Sequence, residues 1–170
     1  MEITKRLWIA MVVLAACSRL LPHPWNFTPM MAIGLFAGYE ARRASTGVMA
    51  TLCALLLSDA VLGFYSGFWY IYAAALIPVL FGRLSRNRGG AGSIAAAAVA
   101  SSVSFFLFTN FMFWATSGWY PRTVAGLSAC YVAGLPFYQN QVLGDAFYTV
   151  ALFGSYMALN RLYQPLRQVA

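Results

Sequence analysis

Long apolar stretches alternate along the chain with short breaks rich in arginine, proline or glycine. A membrane helix needs about 20 predominantly apolar residues, and the pattern predicts helices over 3–21, 30–44, 47–63, 69–84, 91–116 and 143–163. The 30–44 run is short, so it must tilt, sit half-embedded or extend into the break before it. That break holds Pro22, Pro24 and Pro29 around the single histidine, His23, followed by Trp25 and Asn26. Prolines cannot continue a helix and push the residue before them toward extended backbone, so 22–29 reads as a stiff, ordered connector.

The other breaks fall into two kinds. Those at 42–46 and 85–90 are short, basic and plain. Those at 64–68 and 117–142 carry aromatic and polar residues, and long connections of that kind are uncommon unless they serve a function. In the last of them, Gly118-Trp119-Tyr120-Pro121 and Gly134-Leu135-Pro136-Phe137 signal turns. Its middle, 124–135, is apolar enough for a re-entrant or interfacial helix. No repeat of fixed period is visible, and the expected organisation is one domain over 1–170.

Composition decides the class. Hydrophobic residues make up 61% of the chain and charged residues 9%, against about 25% charged in a soluble domain. That is too little charge to cover a water-facing surface, so the expectation is an all-α integral membrane protein. The net charge of +7 would suggest nucleic acid in a soluble chain. Here the basic residues cluster between apolar runs, and membrane orientation explains them better. With six spans and a cytoplasmic N-terminus, Lys5, Arg6, Arg42, Arg43, Arg83, Arg86, Arg88, Arg161 and Arg167 lie inside, and only Arg19 and Arg122 outside. The expected topology is therefore N-in and C-in, multi-pass, in the inner (cytoplasmic) membrane, with the lipid bilayer as partner and no nucleic acid. No cleavable signal peptide is expected. Cys17, Cys53 and Cys130 form neither a CxxC pair nor a zinc spacing, and they read as free thiols.

Polar residues inside apolar runs are costly and mark either inter-helix ties or sites. Asp59 lies near the outer end of the third run and is read either as a tie, to Arg19 or Arg122, or as a ligand contact. Asp145 opens the sixth run, where the free N–H groups of a helix start favour a carboxylate. Asn110 and Trp114, four residues apart, share a helix face. Together with His23, Trp25, Asn26, Tyr65, Tyr138 and Asn140 they gather at the outer ends of different helices. An aromatic belt explains part of this, but the outer excess points to an outward-facing pocket with an apolar lining and a few polar groups. These ten residues are the expected substrate-binding set. No catalytic set, cofactor site or resident metal site is expected, and there is no phosphate-binding glycine loop for ATP.

The segments Asn26-Phe27-Thr28-Pro29, Leu57-Ser58-Asp59 and the run from Cys130 through Leu135-Pro136-Phe137 and Asn140 to Gly144-Asp145 resemble a group of small membrane proteins. That group is similar to the substrate-binding S components of energy-coupling-factor vitamin transporters. The resemblance covers nearly the whole chain. It implies a six-helix S-component-like bundle that takes up a vitamin or similar small molecule, with a coupling subunit and ATPases as partners or acting alone. Cobalamin is the single vitamin it favours, with His23 a candidate ligand to the substrate-borne cobalt. S components usually dock through small residues spaced four apart on the first helix. Ala10, Ala15 and Ala16 lack that spacing, and Gly34 with Gly38 offers a close approach instead. Two other classes stay open: a non-transport scaffold of the rod-shape morphogenesis type, and a small membrane enzyme.

Overall fold

The computed structural model describes residues 10, 12–14, 16–41 and 43–167, with side chains described as far as 158. Lys5, Arg6, Arg42 and about half of the expected first helix lie outside the described residues, as do the side chains of Arg161 and Arg167. Within that range residues 16–20 are helical and lead into the connector at 21–29. Six helices follow: α1 (Met30–Glu40), α2 (Ala44–Leu62), α3 (Phe68–Ala74), α4 (Ile77–Arg88), α5 (Gly90–Ser117) and α6 (Val124–Arg167). No strand occurs among the described residues. Among the described residues, three stretches are long and apolar enough to cross a membrane: α2, the run Phe68–Arg88 that joins α3 to α4, and α5. The protein is a helical membrane protein, and Met49, Leu56, Leu80, Val99 and Val150 turn outward where lipid would meet them.

The expected helix over 69–84 divides in two. Pro78 lacks the N–H that would continue the ladder, so a turn at 75–76 separates α3 from α4 and the proline sits in the first turn of α4. The expected helix over 30–44 stops at Glu40, where Ala41 adopts extended backbone. Within the expected loop at 117–142, the middle stretch 124–135 is helical, as its apolar run allows; the correction is that this helix does not end there. From Val124 it is continuous with the expected sixth helix through Pro136 and Gly144. Thr123 starts it, its Oγ1 accepting from the Gly126 N–H at 3.1 Å. At 1.5 Å per residue, α6 is about 66 Å long, more than twice the bilayer core. Its first half lies antiparallel to α5: Tyr131 donates to the Leu107 carbonyl at 2.8 Å, the Cys130 thiol to that of Asn110 at 3.5 Å, and the Gln141 amide to that of Ser102 at 3.2 Å.

α1 lies at the centre of the bundle. It is apolar on every side, and Met30 through Gly38 are buried without interruption, as expected of a helix with no polar face. Small residues let it approach α4 closely. A Cβ on Gly38 would stand 2.0 Å from the Val79 carbonyl oxygen, and one on Gly82 would stand 2.0 Å from that of Leu35. The Gly34–Gly38 face, expected to be free for docking, is thus occupied within the chain by Pro78 and Val79. On the side facing α6, Phe36 meets Phe153 and Tyr156 edge-on at 5.1 and 5.2 Å, and the Tyr156 hydroxyl donates to Glu40 at 2.6 Å.

Gly38→Ala should overpack this crossing and cost about 1–3 kcal/mol, read as a lower melting temperature of the detergent-solubilised protein. Gly92→Ala, with nothing within 4 Å of its added Cβ, should leave the melting temperature unchanged. Equal melting of the two variants would show that the α1–α4 contact is looser than described.

Candidate functional site

The connector at 21–29 folds into a tight turn over one end of the bundle. The Phe27 N–H closes it on the Pro24 carbonyl at 3.0 Å, with Asn26 at φ 63°. Asparagine tolerates this left-handed conformation better than most side chains. The turn is anchored on α6. Phe27 packs against Phe147 and Tyr148 at 6.0 and 5.6 Å, and the Phe27–Thr28 backbone lies so near Gly144 that a Cβ there would stand 3.1 Å from it. Trp25, 76% exposed, rests on Phe137 at 5.9 Å.

Beneath the connector, Asp59 is completely buried. Its Oδ1 pairs with the Arg19 guanidinium at 2.6 Å, and its Oδ2 accepts from the Tyr72 hydroxyl at 2.8 Å. The Arg19 pairing is one of charge proximity, because the N–H is not aligned for a directed bond to Oδ1. Arg19 also donates to Ser58, whose hydroxyl bonds back to the Ala54 and Leu55 carbonyls. These contacts tie the helical residues 16–20 to α2 and α3. They settle the partner of Asp59 in favour of Arg19; Arg122 instead donates to the Ala115 carbonyl at 2.9 Å, near the end of α5.

A cavity of about 630 Å³ lies beside this pair. Met30 and Met31 of α1 contribute to its lining, Phe105, Phe106, Thr109 and Asn110 line it from α5, and Phe137, Tyr138, Gln141 and Asp145 from α6. Trp25, Asn26 and Tyr65, all exposed, bound it at the connector end. Asp145 is 5% exposed; the Gln141 amide donates to Ser102 Oγ at 3.1 Å and only at 3.5 Å to Asp145. Asn110 spends its amide on the Phe106 carbonyl at 2.9 Å, and its Oδ1 lies where a Cβ on Gly134 would intrude at 2.5 Å. Burial, with the Asp59 charge second, raises the Tyr65 pKa, so this tyrosine is a neutral phenol.

Six of the ten expected residues thus meet around one space: Trp25, Asn26, Tyr65, Asn110, Tyr138 and Asp145. The other four do not line it. His23 is exposed on the connector, with Nδ1 2.5 Å from the Leu21 carbonyl. Asp59 is sealed behind its ion pair. Trp114 turns from the face it shares with Asn110 to donate to the Pro121 carbonyl at 3.0 Å, bracing the α5–α6 turn. Asn140 sits about 100° around α6 from Gln141, off the stripe formed by 134, 137, 138, 141 and 145. Asp145 does not open a helix as expected; it is in the interior of α6. Gln141, Thr28, Thr109 and Arg19 line the cavity without having been singled out for it. The signal for Gln141 was its spacing of four from Asp145, which counts only if 141–145 is helical.

A helical membrane protein with an aromatic-walled cavity at one end of its bundle is the class this arrangement defines. The chain belongs to a family of unknown function, DUF6580, which matches residues 2–166. No match is found among curated proteins or among solved structures.

Removing one partner of a buried ion pair leaves an uncompensated charge and costs about 3–5 kcal/mol. Arg19→Met should fall at the low end, since Arg19 keeps 15% of its side-chain exposure. The double variant Arg19→Met/Asp59→Leu should recover most of that loss in the same denaturation assay. A single variant as stable as the parent would show that the pair contributes nothing.

Proposed function

We propose that the chain is a substrate-binding membrane transport protein of the S-component-like kind, taking up a vitamin-sized small molecule. The observation that carries this reading is the cavity. Its volume of about 630 Å³ falls within the roughly 300–1,000 Å³ of small-molecule sites. Its lining has the usual make-up of such sites: mostly apolar and aromatic walls with a few convergent polar groups. A corrinoid with its nucleotide arm is larger than this space, so the volume favours a smaller ring compound over cobalamin.

In this reading the chain crosses the inner membrane six times, with both ends in the cytoplasm and the 21–29 connector on the outer face. The connector then borders the entrance, with Trp25 and Asn26 at its edge. The cavity brings Thr109, Asn110, Gln141 and Asp145 together among apolar walls, as suits a binding site. Because the Gly34–Gly38 face is packed against α4, a coupling subunit would have to use another surface, or the chain acts alone.

The reading is tested by mass spectrometry of small molecules retained by the purified full chain, followed by uptake of the identified compound in cells. An empty protein that also fails to promote uptake of any retained or supplied vitamin would overturn it. Trp25→Ala should weaken binding of the retained compound by about 1–3 kcal/mol while membrane insertion is unchanged. For topology, a cysteine placed at Asn87 should react with an impermeant reagent only from the cytoplasmic side, and one at Trp119 only from outside.

A further inference from the structure

Among the described residues lining the cavity, Arg19 and Asp145 are the only acidic or basic side chains. The Arg19 charge is already met by Asp59 at 2.6 Å. Asp145 has no such cation. The side chains beside it are neutral: the Gln141 amide donates to it at 3.5 Å, and the Ser102 hydroxyl lies close by. The first turn of α1, whose start is packed near Gly144, adds at most the fractional positive charge of a helix N-terminus. The cavity therefore holds one carboxyl group, Asp145, that no cation among the described residues pairs with.

The walls point the same way. Eight of the 21 lining residues are aromatic, and an aromatic face carries negative potential that attracts cations. Phe106 and Tyr138 lie 4.5 Å apart and Trp25 rests on Phe137, so rings face the space from α5, from α6 and from the connector. An anion placed there would meet Asp145 and the ring faces together. A neutral ring compound would leave Asp145 with its long amide bond alone. A cation loses its hydration on entry, which is costly unless a counter-charge replaces it; Asp145 supplies that charge.

Resting on the reading of this cavity as a binding site, we propose that its ligand is a flat organic cation, a nitrogen heteroaromatic or aryl-ammonium compound. Its positive charge is held by Asp145, and its ring lies among Trp25, Phe106, Phe137 and Tyr138.

The test is equilibrium binding to the purified full chain in lipid nanodiscs, with protein-free nanodiscs subtracted. Three probes of matched shape are used: N-methylquinolinium, naphthamide and naphthoate. The cation should bind at least about tenfold more tightly than the amide, a difference of about 1.4 kcal/mol, and naphthoate should be the weakest. Asp145→Asn should abolish the preference for the cation over the amide while amide binding persists. If naphthoate or naphthamide binds best, the charge assignment is overturned but the cavity stands as a binding site. Should the cation preference survive in Asp145→Asn, Asp145 is not the anchor and the proposal fails. Failure of all three probes to bind would overturn the binding cavity itself, and the proposed function with it. The ranking on the unmodified protein decides the charge class even if Asp145→Asn does not fold.

Discussion

The contact between α1 and α4 is the constraint on which the rest of the structure depends. Buried in the centre of the bundle, α1 has no polar face and little length of its own, about 16 Å at 1.5 Å per residue. It is held by close approach: Gly34 and Gly38 admit Pro78 and Val79, and Gly82 admits the Leu35 carbonyl. In an apolar surround, helices gain nothing by hiding hydrocarbon from lipid, so contact at this range is what holds them together. A helix of that length cannot fill the depth of the bundle. The space beyond its N-terminus is the cavity, with Met30 and Met31 in its lining.

Electrostatics determine how that space is charged. Asp59 is fully buried, a costly placement for a carboxylate; Arg19 balances its charge and Tyr72 donates to its Oδ2. Because Arg19 is drawn to Asp59, it borders the cavity as half of a neutral pair. Asp145, on α6, keeps only neutral partners. Two aspartates in similar apolar runs thus have opposite roles. One fastens the helical residues 16–20 to α2, and the other gives the cavity its polarity.

The connector joins these parts. Its prolines limit the unfolded alternatives of 22–29, so the folded turn loses less entropy than a flexible loop would. Phe27 and Gly144 fix its floor-side end to α6, whereas Trp25 is exposed and held by one ring contact. The rim of the cavity is therefore less restrained than its walls.

The sequence by itself determined the class, because scarcity of charge and the length of the apolar runs are properties of composition and period. It also signalled breaks near 42–46 and 64–68, which fall in the structure at 41–43 and 63–67, and a turn at 118–121, within the break at 118–123, where glycine, proline or a change of polarity ends a helix. The pairing of Asp59 with a basic residue was legible too, since a carboxylate in an apolar run needs one; which arginine answered it was not. Only the tertiary structure decided that the helix open to 124–135 runs on without a break through 136–142. Gly134, Pro136 and Gly144 are turn signals where water competes for the backbone. Here Gly134 lies against α5 and Gly144 against the connector, and these contacts keep the helix intact while Pro136 faces outward. That single difference moved Asp145 from a helix start to a helix interior, brought Gln141 beside it, and set Asn140 off the cavity face. His23 and Trp114 left the expected site for a similar reason. Spacing defines which residues share a face, but their hydrogen bonds to the Leu21 and Pro121 carbonyls depend on turns whose shape is fixed by packing across the bundle.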